Sequence, residues 1–277
     1  MKYLNLGCGS RFHPDFINID AVSSNPHVLA HDLNRGIPFP DHCFDAVYHS
    51  HVLEHFQKEK ALDFLKECCR VLKVRRIIRV AVPDLEQIAR TYLYAFEKAM
   101  EQRDEWQHNY DWIMLELYDQ AVRERPGGAM LDYLKQNPIP NEAFVYQRIG
   151  AEAGRIIHGL QERASTNHDQ HGRVQKFFAF LHSIPRFVRA KLLKILVNCD
   201  DYKALEIARF RLRGEPHQWM YDRYSLARIL RHAGFRDPKT VGPNESQIPN
   251  WTAYHLDADP AGTIYKPDSL FMEAIKL

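Results

Sequence analysis

The first twenty residues place the tightest limits on the fold. A short apolar strand, Tyr3 to Leu6, runs straight into Gly7-Cys8-Gly9, and a second strand, Phe16 to Ile19, ends in Asp20. Glycine lets the main chain turn sharply and lets a ligand approach the backbone where a Cβ would clash. A carboxylate at a strand tip is well placed to accept hydrogen bonds from a ribose diol. Strand, glycine turn, strand and acid together predict a nucleoside-binding α/β domain. A dinucleotide fold would ask for a third glycine where Phe12 stands and a helix after it. Neither is present.

The strands that follow are joined by thin connections. The third, Val28 to His31, comes only about seven residues after the second, whereas parallel strands normally need a crossover of a dozen or more residues. The first crossover helices are therefore expected to be reduced or absent. Tyr3, Asn5, Phe16 and Asn18 fall on one face of the strands, and Leu4, Leu6, Ile17 and Ile19 on the other. A doubly covered strand should be apolar on both faces, so one face of this sheet lacks cover from its own crossovers. Residues 34–43 form a loop punctuated by Gly36, Pro38 and Pro40, and Phe44 to His49 reads as a fourth strand. Ala61, Leu62, Leu65, Cys68, Cys69 and Leu72 recur at helical spacing, and Ile77 to Val82 is a fifth strand closed by Pro83-Asp84.

From Leu85 to Arg213 helical periods dominate, broken at Pro126-Gly127-Gly128, at Pro138-Ile139-Pro140 and by the polar run Ser165 to Gly172. This stretch is too long to be a loop. It is expected to cap the sheet, supplying the missing cover and one wall of the substrate site. Arg173 to Arg213 carries ten Lys/Arg against three Asp/Glu, interleaved with Phe and Leu. Such a stretch suits an ordinary capping helix pair, and an anionic surface or phosphorylated substrate as the alternative. The α/β pattern returns with a helix from Tyr224 to Ala233 ended by Gly234, a strand around Lys239 to Val241 and a last strand from Ser269 to Ile275.

Composition excludes several classes. At 277 residues the chain accommodates one large domain with an insertion, and a formal net charge of +2 rules out a molecule built throughout as a polyanion binder. Five cysteines without Cys-x-x-Cys spacing fit reduced thiols better than a disulfide framework. No apolar run approaches membrane-spanning length, and the first strand begins at residue 3 where a signal peptide would stand. A cytoplasmic protein is expected.

Leu4 to Gly9, Asp20, His31-Asp32-Leu33 and Phe44-Asp45-Ala46-Val47 resemble class I S-adenosylmethionine-dependent methyltransferases of the type 11 group. So do the segments Pro216 to Asp222, Ala233-Gly234-Phe235 and Lys266 to Ala274. The likeness covers residues 1–92 and 214–277. It departs from most relatives at Val74-Arg75-Arg76, where they carry a Pro-Gly-Gly turn. The resemblance implies a Rossmann-like seven-stranded sheet whose last strand runs antiparallel, interrupted by the helical insertion at 93–213, which would form part of the acceptor site. S-adenosylmethionine would be the cofactor. Gly7 and Gly9 would admit its methionine part, Asp20 would hold the ribose hydroxyls, and Asp32 would take the adenine amino group while Leu33 packs on the ring. Asp32 capping a turn is the alternative. His49 and Ser50 would lie beside the methionine arm.

His51-Val52-Leu53-Glu54-His55 carries the candidate chemistry. On a helix, positions i, i+3 and i+4 share a face, so His51, Glu54 and His55 are candidates to converge, with His217 as a further neighbour. The array is similar to the Glu-x-x-Glu-His motif of metal-dependent O-methyltransferases, with His51 in place of the first Glu. The preferred reading has no metal, and makes His51 or His217 the general base for a hydroxyl, because imidazole titrates near neutrality. Trp219 and Tyr221 suit either the acceptor pocket or the core. His168-Asp169-Gln170-His171 reads as a solvated loop. After the fourth strand the chain reads Tyr-His-Ser-His and lacks an Asn/Asp-Pro-Pro-Tyr motif, which favours an oxygen acceptor. The resemblance points to a sugar or glycan hydroxyl, lipid- or nucleotide-linked, or another small-molecule hydroxyl, rather than nucleic acid. An RNA-directed methyltransferase and a catalytically silent S-adenosylmethionine or S-adenosylhomocysteine binder are the alternatives.

Overall fold

The computed structural model describes residues 1–23, 25–165, 199–212 and 214–277. A seven-stranded mixed sheet forms the centre, with strands β1 (Tyr3–Leu6), β2 (Phe16–Asp20), β3 (Val28–Ala30), β4 (Phe44–Ser50), β5 (Leu72–Pro83), β6 (Phe235–Thr240) and β7 (Ser269–Lys276). Their spatial order is β3-β2-β1-β4-β5-β7-β6. The first five are parallel, and β7 lies antiparallel between β5 and β6. This is the α/β arrangement that the sequence predicts. The registers Leu6↔Ile19 and Leu6↔His49 set the carboxyl ends of β1, β2 and β4 side by side. Gly7, Asp20 and Ser50 therefore meet at one edge, where an open parallel sheet binds its ligand.

The early crossovers are helix-free: residues 7–15 and 21–27 hold no helix among the described residues, and β3 leads only to the 3-10 turn Leu33–Arg35. The first full crossover helix is α1 (Lys58–Val71). It buries Ala61, Phe64, Leu65, Cys68 and Val71 on one sheet face, against Leu4, Leu6, Val47 and Ile78. Helix α1 passes straight into β5, so Val74-Arg75-Arg76 is strand with an irregularity, and Arg75 has φ 60°.

Cover for the opposite face comes from an element the sequence reading did not credit. Tyr3, Phe16, Ala46 and Tyr48 pack against Ile248, Trp251 and Leu256 from the long β6–β7 connection. The same connection closes over Arg79. That guanidinium is fully buried, pairs with Asp257 at 2.8 Å and Glu273 at 3.0 Å, and lies 4.5 Å from the Trp251 ring. Asn5 and Asn18 add a buried amide ladder at 3.1 Å. The polar positions of β1, β2 and β5 thus face a lid of matching polar and aromatic groups, which satisfies buried hydrogen-bonding groups and relieves the insertion of that task.

The helical stretch begins with α2 (Leu85–Met100), capped by Asp84, whose carboxylate accepts from the Glu86 and Gln87 amides. The expected boundary at residue 92 falls inside this helix. Helices α3 (Asp104–Val122), α4 (Gly128–Leu134), α5 (Glu142–Ile149) and α6 (Ala151–Ser165) follow, and α7 (Cys199–Arg211) lies after the undescribed segment. Trp112, Leu134, Val145 and Ala153 build a separate apolar cluster in these helices, and Arg148 pairs with Glu116 at 2.6 Å inside them. Helices α5 and α6 are separated only by Gly150, φ 57°, where a Cβ would lie 2.5 Å from Pro267 Cδ and 2.6 Å from the Ile264 carbonyl. That contact brings the start of α6 against the sheet edge. The chain re-enters the sheet through α8 (Arg223–His232), begun by a capping box between Asp222 and Ser225. Most of the basic stretch 173–213 and the whole of His168 to His171 lie outside the described residues. No described helix is long and apolar enough to cross a membrane.

Candidate functional site

Two cavities that share part of their lining open beside the carboxyl ends of β1 and β4. The first is lined by Gly7, Gly9, Arg11, Tyr48, Ser50 and Arg155 among others. The second, about 360 Å³, lies under the helical stretch and is lined by His55, Arg123, Met130, Ile149 and His217 among others. Three side chains line both: His51, Glu152 and Lys266.

The first cavity is shaped by the glycine turn. Gly7 has φ 63° and Gly9 φ 54°. A Cβ on Gly7 would stand 2.3 Å from Val52 Cγ2, whereas one on Gly9 would meet nothing within 4 Å. Gly7 thus serves packing of the turn, and Gly9 leaves the backbone open to a ligand. Asp20 Oδ2 accepts from the Gly9 amide at 2.8 Å, so the acid at the end of β2 also braces the turn. The Cys8 thiol is pushed up to about 11 by burial and stays protonated. On the far wall Arg11 pairs with Glu152 at 2.8 Å and stacks 4.0 Å from the Tyr265 ring, while Arg155 donates to Ser10 Oγ at 3.0 Å. Sequence reasoning missed Arg11, Glu152, Arg155 and Lys266. Only the position of Arg11 in the glycine turn, and of Lys266 beside the C-terminal motif, offered a signal.

Asp32 is the N-cap of the 3-10 turn Leu33–Arg35 and accepts from the Asn34 amide at 3.0 Å and side chain at 2.9 Å, bonds that hold its carboxyl below the usual range. The capping alternative is therefore realised, and Leu33 packs partly against the main core. His49 does not lie beside the cavity. Strand alternation turns Tyr48 and Ser50 toward it and sends His49 to the other face, fully buried against Phe64 at 5.2 Å between ring centres. Burial pushes its imidazole down to about 4, so it stays neutral.

The histidine segment departs from the helix expected of it. His51 has φ 54°, and Leu53–His55 is a single 3-10 turn. Its side chains divide accordingly. His51 Nδ1 stands 3.2 Å from Glu54 Oε1 and its Nε2 lies 2.8 Å from Ser269 Oγ. Burial, with the Lys266 ammonium, lowers its imidazole, and Glu54 acts in the opposite direction. His55 turns instead to His217, ring centres 4.9 Å apart, and His217 Nε2 is 4.0 Å from Glu54 Oε1. The main chain holds this pair: Gln218 and Trp219 amides both donate to the Glu54 carbonyl, at 2.7 and 3.2 Å, and the His217 amide to that of Gln120 at 2.9 Å. Trp219 is 40% exposed and carries Lys58 over its ring, while Tyr221 is buried in the core.

Residues 4–78 match the family model described as a methyltransferase domain. With the strand order above, the matched part of the chain is a methyltransferase domain similar to the class I, type 11 S-adenosylmethionine-dependent enzymes, whose cofactor is S-adenosylmethionine. The open backbone at Gly9 beside Asp20 fits such a ligand. The fold is similar to a SAM-dependent methyltransferase from Archaeoglobus fulgidus, at 13% identity over 99% of this chain and 86% of that one, TM-score 0.38. A SAM-dependent methyltransferase from Thermotoga maritima is similar at 11% identity over 100% of this chain and 82% of that one, TM-score 0.37. No curated protein matches the sequence.

Proposed function

We propose that this methyltransferase acts on a hydroxyl of a small-molecule or glycan acceptor seated in the cavity beneath the helical stretch. The observation that carries this reading is the place of His51, an imidazole on the shared wall of the two cavities, backed by the buried carboxylate of Glu54. The cofactor supplies an electrophilic methyl group bound to sulfur. Gly7 lets the turn pack against Val52, Gly9 gives the methionine part access to the backbone, and Asp20 accepts from the ribose hydroxyls by charge-assisted bonds. Tyr48 and Ser50 line the same cavity as these glycines.

His51 takes the acceptor proton. With Nδ1–H turned to Glu54, its Nε2 is the nitrogen that accepts a hydroxyl, as it does with Ser269. An acceptor hydroxyl in place of the serine would deliver its proton to Nε2, and Glu54 would stabilise the imidazolium. His217 lies on the far side of Glu54 and lines the acceptor cavity only, so His51 is the better base. Positioning accounts for the rest of the rate.

The test is S-adenosylhomocysteine formation with labelled cofactor and a panel of free sugars, lipid- and nucleotide-linked sugars, small alcohols and RNA. Methylation of a sugar or small-molecule hydroxyl supports the reading. Transfer to RNA alone, or to an amine alone, contradicts it.

A further inference from the structure

We propose that Glu54, His55 and His217 bind a first-row divalent metal ion, of the zinc type, at the inner end of the acceptor cavity. The inference deepens the reading above, but its evidence is independent of it. Among the described residues these three side chains each offer one ligand atom, and the atoms all lie within 4.8 Å of one another. Two imidazole nitrogens and a carboxylate oxygen form a donor set suited to such ions.

The second observation concerns groups left without partners. Glu54 is completely buried; its Oε1 meets His51 Nδ1 at 3.2 Å, while its Oε2 has no hydrogen-bond partner, nor does His55 Nδ1. Buried polar atoms are normally satisfied, and a buried carboxylate is costly unless a cation or donors meet it. The described cations nearby have other partners. Arg123 pairs with Asp119 at 3.0 Å and Glu215 at 3.3 Å, and Arg11 with Glu152. The Lys266 ammonium is shared among Asp268, Glu152 and Glu54. Among the described residues the ion-pair partners of Glu54 within 4.0 Å are imidazoles, His51 at 3.2 Å and His217 at 4.0 Å, and one nitrogen each of His55 and His217 lies within 4.8 Å of a Glu54 oxygen.

This donor set differs from the one that motif spacing suggests. His51 is held by Ser269 through Nε2 and touches Glu54 through Nδ1, so it orients the carboxylate from outside the ion's coordination sphere, a common arrangement around metal ligands. Bonds near 2.1 Å ask ligand atoms to stand about 3.4 Å apart. The three side chains therefore draw in by about 1 Å on binding. His55 and His217 both line the acceptor cavity, so the ion's remaining positions face the acceptor hydroxyl and would favour its ionised form.

The experiment uses the untagged full chain, stripped with a chelator and dialysed, then titrated with Zn²⁺ by calorimetry and with Co²⁺ by visible absorption. One equivalent should bind, with the cobalt bands of a site that includes nitrogen ligands. Glu54→Gln and His55→Gln should each weaken binding by more than about 100-fold, and His51→Gln by about 10- to 100-fold. His55 is only partly buried, so its variant serves if Glu54→Gln fails to fold. Absence of saturable binding to the wild type, or binding that persists in both ligand variants, overturns the proposal. S-adenosylhomocysteine titrated into the same metal-free protein separates the two readings. Uptake of that ligand without metal binding leaves the methyltransferase standing and removes the ion, and the reverse result removes the nucleoside site.

Discussion

The two cavities are built by different means. The cavity we assign to the nucleoside takes its turn and its acid from one continuous stretch: β1, the glycine turn, β2 and Asp20 lie within the first twenty residues, and Asp20 accepts from the Gly9 amide. The cavity we assign to the acceptor draws on separate segments around residues 51–55, 120–134, 149–156, 215–217 and 266–268, brought together by side chains. A backbone cradle needs only glycines at fixed spacing. A side-chain cluster needs the whole chain to be folded first. Changes on one side should therefore leave the other largely intact, and each prediction below probes that independence.

The largest effect is expected at the shared wall. His51→Ala should lower kcat by about 10²–10⁴ while the affinity for S-adenosylhomocysteine changes by less than about threefold, as measured by steady-state kinetics and calorimetry. An equal loss in both would mean that His51 holds the cofactor rather than the acceptor proton. Next comes the glycine turn. Gly7→Ala sets a methyl group 2.3 Å from Val52 Cγ2 at φ 63°, and left-handed backbone alone costs about 1–2 kcal/mol. The loss of S-adenosylhomocysteine affinity should reach about 30-fold or more, and Val52→Ala in the same chain should recover part of it. Full affinity in Gly7→Ala would show that the turn can move without consequence.

A smaller change tests the basis of the comparison in the core. His49 is neutral when folded because burial holds it at about 4 against an ordinary 6.5. Its folded pKa is depressed, so its contribution is fully present above pH 6.5 and is lost as pH falls toward about 4, where the unfolded chain takes up the extra proton. Denaturant unfolding at several pH values should show roughly 3 kcal/mol lost across that window from this residue, and His49→Leu should lose correspondingly less. An unchanged slope in His49→Leu would mean that the ring is hydrated and belongs to the cavity after all.

Most of the sheet was legible because its signals are local. The four residues of β1 and the run Phe44 to Ser50 carry their own pattern, and the gap between β1 and β2 is too short for a helix. What could not be read depended on contacts across hundreds of residues. The exposed-looking polar face of β1 and β2 is covered by Ile248, Trp251 and Leu256, residues in a turn-rich segment with no periodicity to mark them. His49 was misplaced because strand alternation, which sends it against Phe64, competes with a family position that names only the strand tip. The i, i+3, i+4 rule misread the histidines for a related reason: His51 at φ 54° leaves the helix before it begins, so Glu54 stands between His51 on one side and His217 on the other. Arg11 and Lys266 gain meaning only when α6 closes on the sheet edge at Gly150.

Calorimetric titration of S-adenosylhomocysteine into the folded chain and into Asp20→Asn tests the account most directly. The variant keeps an oxygen for the Gly9 amide but loses the carboxylate, so the wild type should bind one equivalent and the variant about 10-fold more weakly or worse. No uptake by the wild type, or equal affinity in both proteins, would contradict it.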